Sequence, residues 1–171
     1  MSNDFDRLYT EVWPEYLETQ RRDAFWYEQL WRVLLRQLEM RTAERWLLDF
    51  GSGPGFLLRL AERRGWKATG FEPSGVARRF ASSLGVISSE RLLCGYSAIV
   101  STEVLEHVTS AEETLKQLHE ALVSGGLLAL SVPNDNNPLQ RMFGRLLAPR
   151  SSDSGGLVQC EDRKRPWFHH T

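Results

Sequence analysis

Between residues 49 and 55 the chain reads Asp-Phe-Gly-Ser-Gly-Pro-Gly, with glycine at 51, 53 and 55. Three alternate positions without a Cβ let a ligand lie against bare main chain. A helix beginning just beyond would aim its unpaired N–H groups at that ligand. Asp49 is suited to holding the loop amides, and Ser52 sits among them. Seventeen residues after Gly55 stands Glu72, followed by Pro73 and Ser74. If two parallel strands end at Phe50 and Glu72, their ends lie side by side, and a carboxylate there can accept both hydroxyls of a ribose. The spacing is G-x-G-x-G rather than the dinucleotide G-x-G-x-x-G, and no Lys-Ser/Thr pair follows, which excludes a phosphate P-loop.

A second polar group consists of Glu103, Glu106 and His107. His107 is the candidate general base, because imidazole titrates near neutral pH. The competing readings are a helix-turn cap with surface acids and, behind it, a divalent cation held by the three side chains, for which no fourth ligand is evident. No metal is expected. Cys94 and Cys160 show no partner pattern and read as structural or exposed rather than nucleophilic; His119 reads as a packing or surface residue.

The elements that must position these residues follow from periodicity. Phe5, Leu8, Tyr9 and Val12 recur at helical spacing until Pro14, which is expected to break or restart the helix. Tyr27, Leu30, Trp31, Leu34 and Leu38 form the stripe of a second helix, read as core packing or as a cap over a pocket. From residue 45 strands and helices alternate. Strands are expected at 46–50, 67–71, 86–88, 97–101 and 127–132. Helices are expected at 56–64, with Leu57, Leu60 and Ala61 inward and Gly65 as the stop, from a Ser74 cap to Leu84, closed by Gly85, and from a Ser110 cap to a stop at Gly125-Gly126. That alternation means an α/β fold with a parallel sheet and right-handed crossovers. Residues 1–44 read as an N-terminal helical cap, 45–137 as the cofactor-binding core, and 138–171 as a helix plus a flexible tail.

Composition narrows the classes. Twenty-one basic against 22 acidic side chains leave no positive excess for a nucleic-acid backbone or an anionic membrane. No run approaches a membrane span, and the N-terminus carries acids where a secretory signal has Lys or Arg. With two cysteines only, a reducing cytoplasmic setting is the expectation.

Leu47 to Gly55, Gly70-Phe71-Glu72-Pro73-Ser74, Glu103 to Val108 and Gly125 to Asn134 occur in an order that resembles the class I S-adenosylmethionine-dependent methyltransferases. Within them the likeness is to the branch with the ubiquinone-type O-methyltransferases, of the methyltransferase domain 23/11 kind. The resemblance implies a Rossmann-like, doubly wound, mostly parallel sheet of order 3-2-1-4-5 with N-terminal helices. It implies S-adenosyl-L-methionine as cofactor, a small-molecule acceptor, and transfer to oxygen or nitrogen. By position, Gly51, Gly53 and Gly55 would line the methionine and ribose, Glu72 would hold the ribose hydroxyls, and Ser101, Thr102 and Glu103 would lie beside the methionine, with Asp49, Ser52 and Pro73 counted in the same cofactor-binding set. His169 and His170 resemble a Pro-x-x-His-His stretch near the acceptor.

The chain departs from the pattern in two places. Tyr96-Ser97 replaces an aromatic–Asp pair, and residues 86–96 offer only Glu90 for the adenine amino group. The family's final antiparallel hairpin has no counterpart before Thr171, so a truncated product is expected. Its last strand would be an open apolar edge, to be covered by residues 138–171 or by a second copy. The alternative function is therefore a non-catalytic cofactor- or partner-binding remnant. A nicotinamide oxidoreductase is disfavoured by the glycine spacing and the lack of a Tyr-Lys pair.

Overall fold

The computed structural model describes residues 2–132. The expected helix at 138–147, His169 and His170 lie outside the described residues. The elements, in order, are α1 (Ser2–Glu39), β1 (Trp46–Phe50), α2 (Phe56–Arg63), β2 (Lys67–Phe71), α3 (Gly75–Ser83), β3 (Ser88–Ser89) and β4 (Tyr96–Thr102). A single 3₁₀ turn (Leu105–His107), α4 (Ala111–Ala121) and β5 (Leu122–Ser131) follow. The sheet order is β3-β2-β1-β4-β5 and every pairing is parallel. This is the Rossmann-like arrangement expected, and it brings all strand C-termini to one rim.

Two apolar layers sandwich the sheet. On one face Leu35 and Leu38 of α1, Leu57, Leu58, Leu60 and Ala61 of α2, and Ala81 of α3 pack on Leu47, Ala68, Ala98 and Val100. On the other, Leu118 and Ala121 of α4 join Leu48, Phe50, Phe71, Leu92 and Ile99. The Phe50 and Phe71 rings stack 4.8 Å apart at the ends of β1 and β2. Local chemistry ends the helices as expected. Ser74 and Ser110 accept the N–H groups of Ala77 and Glu113, and Gly65 and Gly85 take positive φ after α2 and α3.

Three expectations are corrected. The first segment is one helix, α1, not two: Pro14 removes one donor and does not end it. In its buried stripe Leu35 replaces Leu30, which is 56% exposed. Gly125-Gly126 does not stop α4. The helix ends at Ala121, and β5 begins at Leu122 with a register shift between Tyr96↔Leu122 and Ala98↔Leu127. Gly125, at φ 75, absorbs that irregularity. Leu122 misled because it continues the helical spacing from Leu118.

Among the described residues no helix is long and apolar enough to cross a membrane.

α1 is fastened at its C-terminal end. The Glu39 carboxylate accepts Nε and Nη2 of Arg64 at 2.8 and 2.6 Å, and Trp66 Nε1 at 3.3 Å. The Thr42 hydroxyl donates to the Leu38 carbonyl.

Candidate functional site

The glycine loop leaves β1 with Gly51, Gly53 and Gly55 at φ 81, 48 and 82, conformations that side chains with a Cβ rarely adopt. The Phe71 carbonyl accepts the N–H groups of both Gly51 (2.8 Å) and Ser52 (3.1 Å), and Gly55 donates to the Ser52 carbonyl (2.9 Å). The missing bulk at two of the glycines is used by the chain itself. A Cβ on Gly51 would overlap the Val104 side chain, and one on Gly55 would lie 2.7 Å from Val86 Cγ2 and 3.1 Å from Ala81 Cβ. Their lack of side chains therefore serves packing at these two points. Gly70 is a further glycine of the same kind: its Cβ would strike Ser52 and come within 2.9 Å of Leu58 Cδ1. A glycine inside a strand, as in Lys67–Phe71, is the signal that could have found it.

Glu72 lies beside the loop, 3% exposed. Its Oε2 accepts the Gly53 N–H at 2.9 Å and its Oε1 accepts the Ser74 N–H at 2.8 Å. One carboxylate thus ties the glycine loop to the start of α3. Asp49, expected to hold the loop amides, does not do so, because those of Gly51, Ser52 and Gly53 go to Phe71 and Glu72. It sits within β1, 4% exposed, in register with Gly70 and Val100. Burial, and then the charge of Glu72, push its carboxyl up to about 7. The charged residues buried among the described ones are these two acids; no Lys or Arg is buried with them.

The ends of β4 and β5 supply the third side. Ser101 is 1% exposed, and its Oγ has no partner among the described residues. Thr102 and Ser131 line a cleft of about 170 Å³ with Leu30, Trp31 and Leu34 of α1 and Ala129 and Leu130 of β5. Glu103 takes φ 55 and donates its N–H to the Ser131 carbonyl at 2.9 Å. A non-glycine residue in that conformation is uncommon, and nothing in the sequence marked it. Val104 then reaches back over Gly51, and the 3₁₀ turn carries His107, whose Nε2 lies 4.0 Å from Glu106 Oε1 with the imidazole 61% exposed.

The structure thus brings Gly51, Ser52, Gly53, Gly55, Glu72 and Pro73 together at one end of β1 and β2, with Ser101, Thr102 and Glu103 at the neighbouring end of β4. It does not group Glu103, Glu106 and His107 as a metal-holding set; no cluster of three such side chains occurs among the described residues. Glu90, the substitute acid for an adenine amino group, is taken by Arg78 at 3.0 Å, and Arg78 also donates to the Glu72 and Pro73 carbonyls at 2.7 Å. Sequence reasoning missed Arg78, since its partners become neighbours only once the chain turns at Pro73.

A doubly wound parallel sheet with a glycine loop and an acid on the next strand defines the class of Rossmann-like nucleoside-binding folds. The family described as Methyltransferase domain matches residues 17–164, and the chain belongs to that family. Among solved structures it is similar to DesVI of Streptomyces venezuelae, with a TM-score of 0.58 and 18% identity over 75% of this chain and 59% of that one. It is also similar to the plantazolicin methyltransferase BpumL in complex with SAH, with a TM-score of 0.54 and 17% identity over 67% of this chain and 49% of that one. A third is the DhpI–SAH complex, with a TM-score of 0.51 and 16% identity over 75% and 66%. The chain spans between 49% and 66% of the length of these three structures. No curated protein matches it.

Proposed function

We propose that this chain is an S-adenosylmethionine-dependent methyltransferase that moves a methyl group to an oxygen or nitrogen of a small-molecule acceptor. The observation that carries the reading is Glu72, buried beside the glycine loop and bonded to the Gly53 amide. A carboxylate so fixed is preorganised for ribose hydroxyls, which can share its remaining lone pairs. Two buried acids with no buried Lys or Arg among the described residues suit a cofactor that has no phosphate and carries a sulfonium cation. The orphaned Ser101 hydroxyl, at the rim where the resemblance puts the methionine, suits a polar ligand atom.

When bound, the cofactor would supply an electrophilic methyl on a sulfonium, with the neutral thioether as the leaving group of an in-line attack by the acceptor. The chain's own part is then alignment and removal of one proton. In this reading Gly51, Gly53 and Gly55 with Ser52, Pro73, Ser101, Thr102 and Glu103 position the cofactor. His107 takes the proton from the acceptor's O–H or N–H and, being exposed, passes it to solvent. The cleft under α1 takes the acceptor. Its mostly apolar lining, with hydroxyls only at Thr102 and Ser131, favours an apolar or aromatic body bearing one polar group.

Calorimetry with S-adenosylmethionine and with NAD tests this directly. Saturable binding of the former alone, weakened at least tenfold in Glu72→Ala with the fold intact by circular dichroism, is expected. Undiminished binding by that variant would remove the ribose assignment. Binding without methyl transfer to any acceptor class would favour the non-catalytic alternative.

A further inference from the structure

Arg78 stands six residues after Glu72, one turn into α3, and its guanidinium joins three partners. Nη1 donates to the Glu72 and Pro73 carbonyls, each at 2.7 Å, and Nη2 donates to Glu90 Oε2 at 3.0 Å. The sheet explains why those carbonyls need it. Register pairing on both sides of β2 ends at Phe71. The Phe71 carbonyl is taken by the glycine loop, and the Glu72 N–H goes to the Ser89 carbonyl at 2.8 Å. The next two carbonyls of the turn lie past the end of both ladders and must be satisfied from elsewhere. A long side chain on a helix leans back toward the N-terminus, so Arg78 reaches over the turn that precedes α3. Its fork serves the carbonyls with one nitrogen and Glu90 with the other, a division that a lysine ammonium cannot reproduce.

This turn carries the acid of the ribose site. The Glu72 carboxylate is held from the front by the Gly53 and Ser74 amides. The main chain behind it is held by Arg78. Resting on the methyltransferase reading, we propose that Arg78 is a positioning residue for ribose recognition: by gripping two successive carbonyls of the turn it sets the direction in which the Glu72 carboxylate meets the sugar hydroxyls. It acts through the main chain, not through contact with the cofactor. Hydrogen bonds weaken steeply when misdirected, so loss of the grip falls on the hydroxyls that Glu72 accepts and spares the rest of the ligand. Glu90, 62% exposed, steadies the far end of the guanidinium and adds little of its own.

The experiment compares two sugars. Dissociation constants of S-adenosylhomocysteine and of its 2′-deoxyribose analogue are measured by calorimetry on the unaltered protein, Arg78→Met and Arg78→Lys, with folding checked by circular dichroism. The unaltered protein is expected to prefer the ribose ligand by about tenfold or more, as fits a hydroxyl bonded to a charged acceptor. In Arg78→Met the preference should fall to about threefold or less, with the deoxyribose ligand changed by no more than about twofold. Arg78→Lys should fall between. In a Glu72→Gln background Arg78→Met should alter the preference no further. A role confined to stability would weaken both ligands in proportion, and an unchanged preference in Arg78→Met would overturn the proposal. If that variant does not fold, an unchanged preference in Arg78→Lys does the same. Binding of both ligands to the unaltered protein with equal affinity would overturn the positioning role and leave the cofactor assignment standing. Failure to bind either would remove the methyltransferase reading and the proposal with it.

Discussion

At the scale of the residue, Asp49 shapes the response of stability to pH. Its carboxyl would ionise near 3.8 in an open chain and near about 7 in the folded one. Between those values the unfolded state loses its proton first, so stability falls as pH rises and is lowest above about 7. The full effect is on the order of 4 kcal/mol. Asp49→Asn, with the same shape and no charge, should therefore raise Tm at pH 8 and leave it nearly unchanged at pH 4. Equal gains at both pH values in thermal melts would contradict this account. Ser74 is a simpler case. Its hydroxyl caps α3 while its N–H goes to Glu72. Ser74→Ala should cost about 1 kcal/mol in urea unfolding, with the m-value unchanged.

At the scale of the element, α1 depends on one clamp. Arg64 donates two hydrogen bonds to Glu39 and holds its carboxyl below the ordinary carboxylate range. The support this gives is present above the ordinary Glu value and is lost as pH falls through the lowered one. Glu39→Gln should cost about 1–3 kcal/mol and increase amide exchange in the last turns of α1 before it does so in the sheet. The same helix forms one wall of the cleft proposed for the acceptor through Leu30, Trp31 and Leu34. Filling that cleft by Leu34→Trp should raise KM for an apolar acceptor severalfold and leave cofactor affinity unchanged. A loss of cofactor affinity instead would show that the cleft belongs to the cofactor.

At the scale of the whole molecule, what was legible in the sequence was what local chemistry decides. The caps at Ser74 and Ser110, the stops at Gly65 and Gly85, and the apolar face of Leu57, Leu60 and Ala61 each depend on residues within a turn or two of each other. Glu72 was legible as an acid at a strand end, although its bonds to the Gly53 and Ser74 amides were not. Glu39 with Arg64, the β5 irregularity at Gly125 and the left-handed Glu103 were not legible, because each answers to a neighbour far along the chain. Leu130 near the end of β5 and Val132 just beyond it are 42% and 56% exposed.

The Val104 methyls occupy the space that any side chain at position 51 would need, so the two positions share one volume. Relatives that enlarge one should shrink the other, and covariation between 51 and 104 is the trace this would leave. In the laboratory, Val104→Ala should recover part of what Gly51→Ala loses. The remainder, on the order of 1 kcal/mol, reflects the left-handed backbone that no neighbour can relieve.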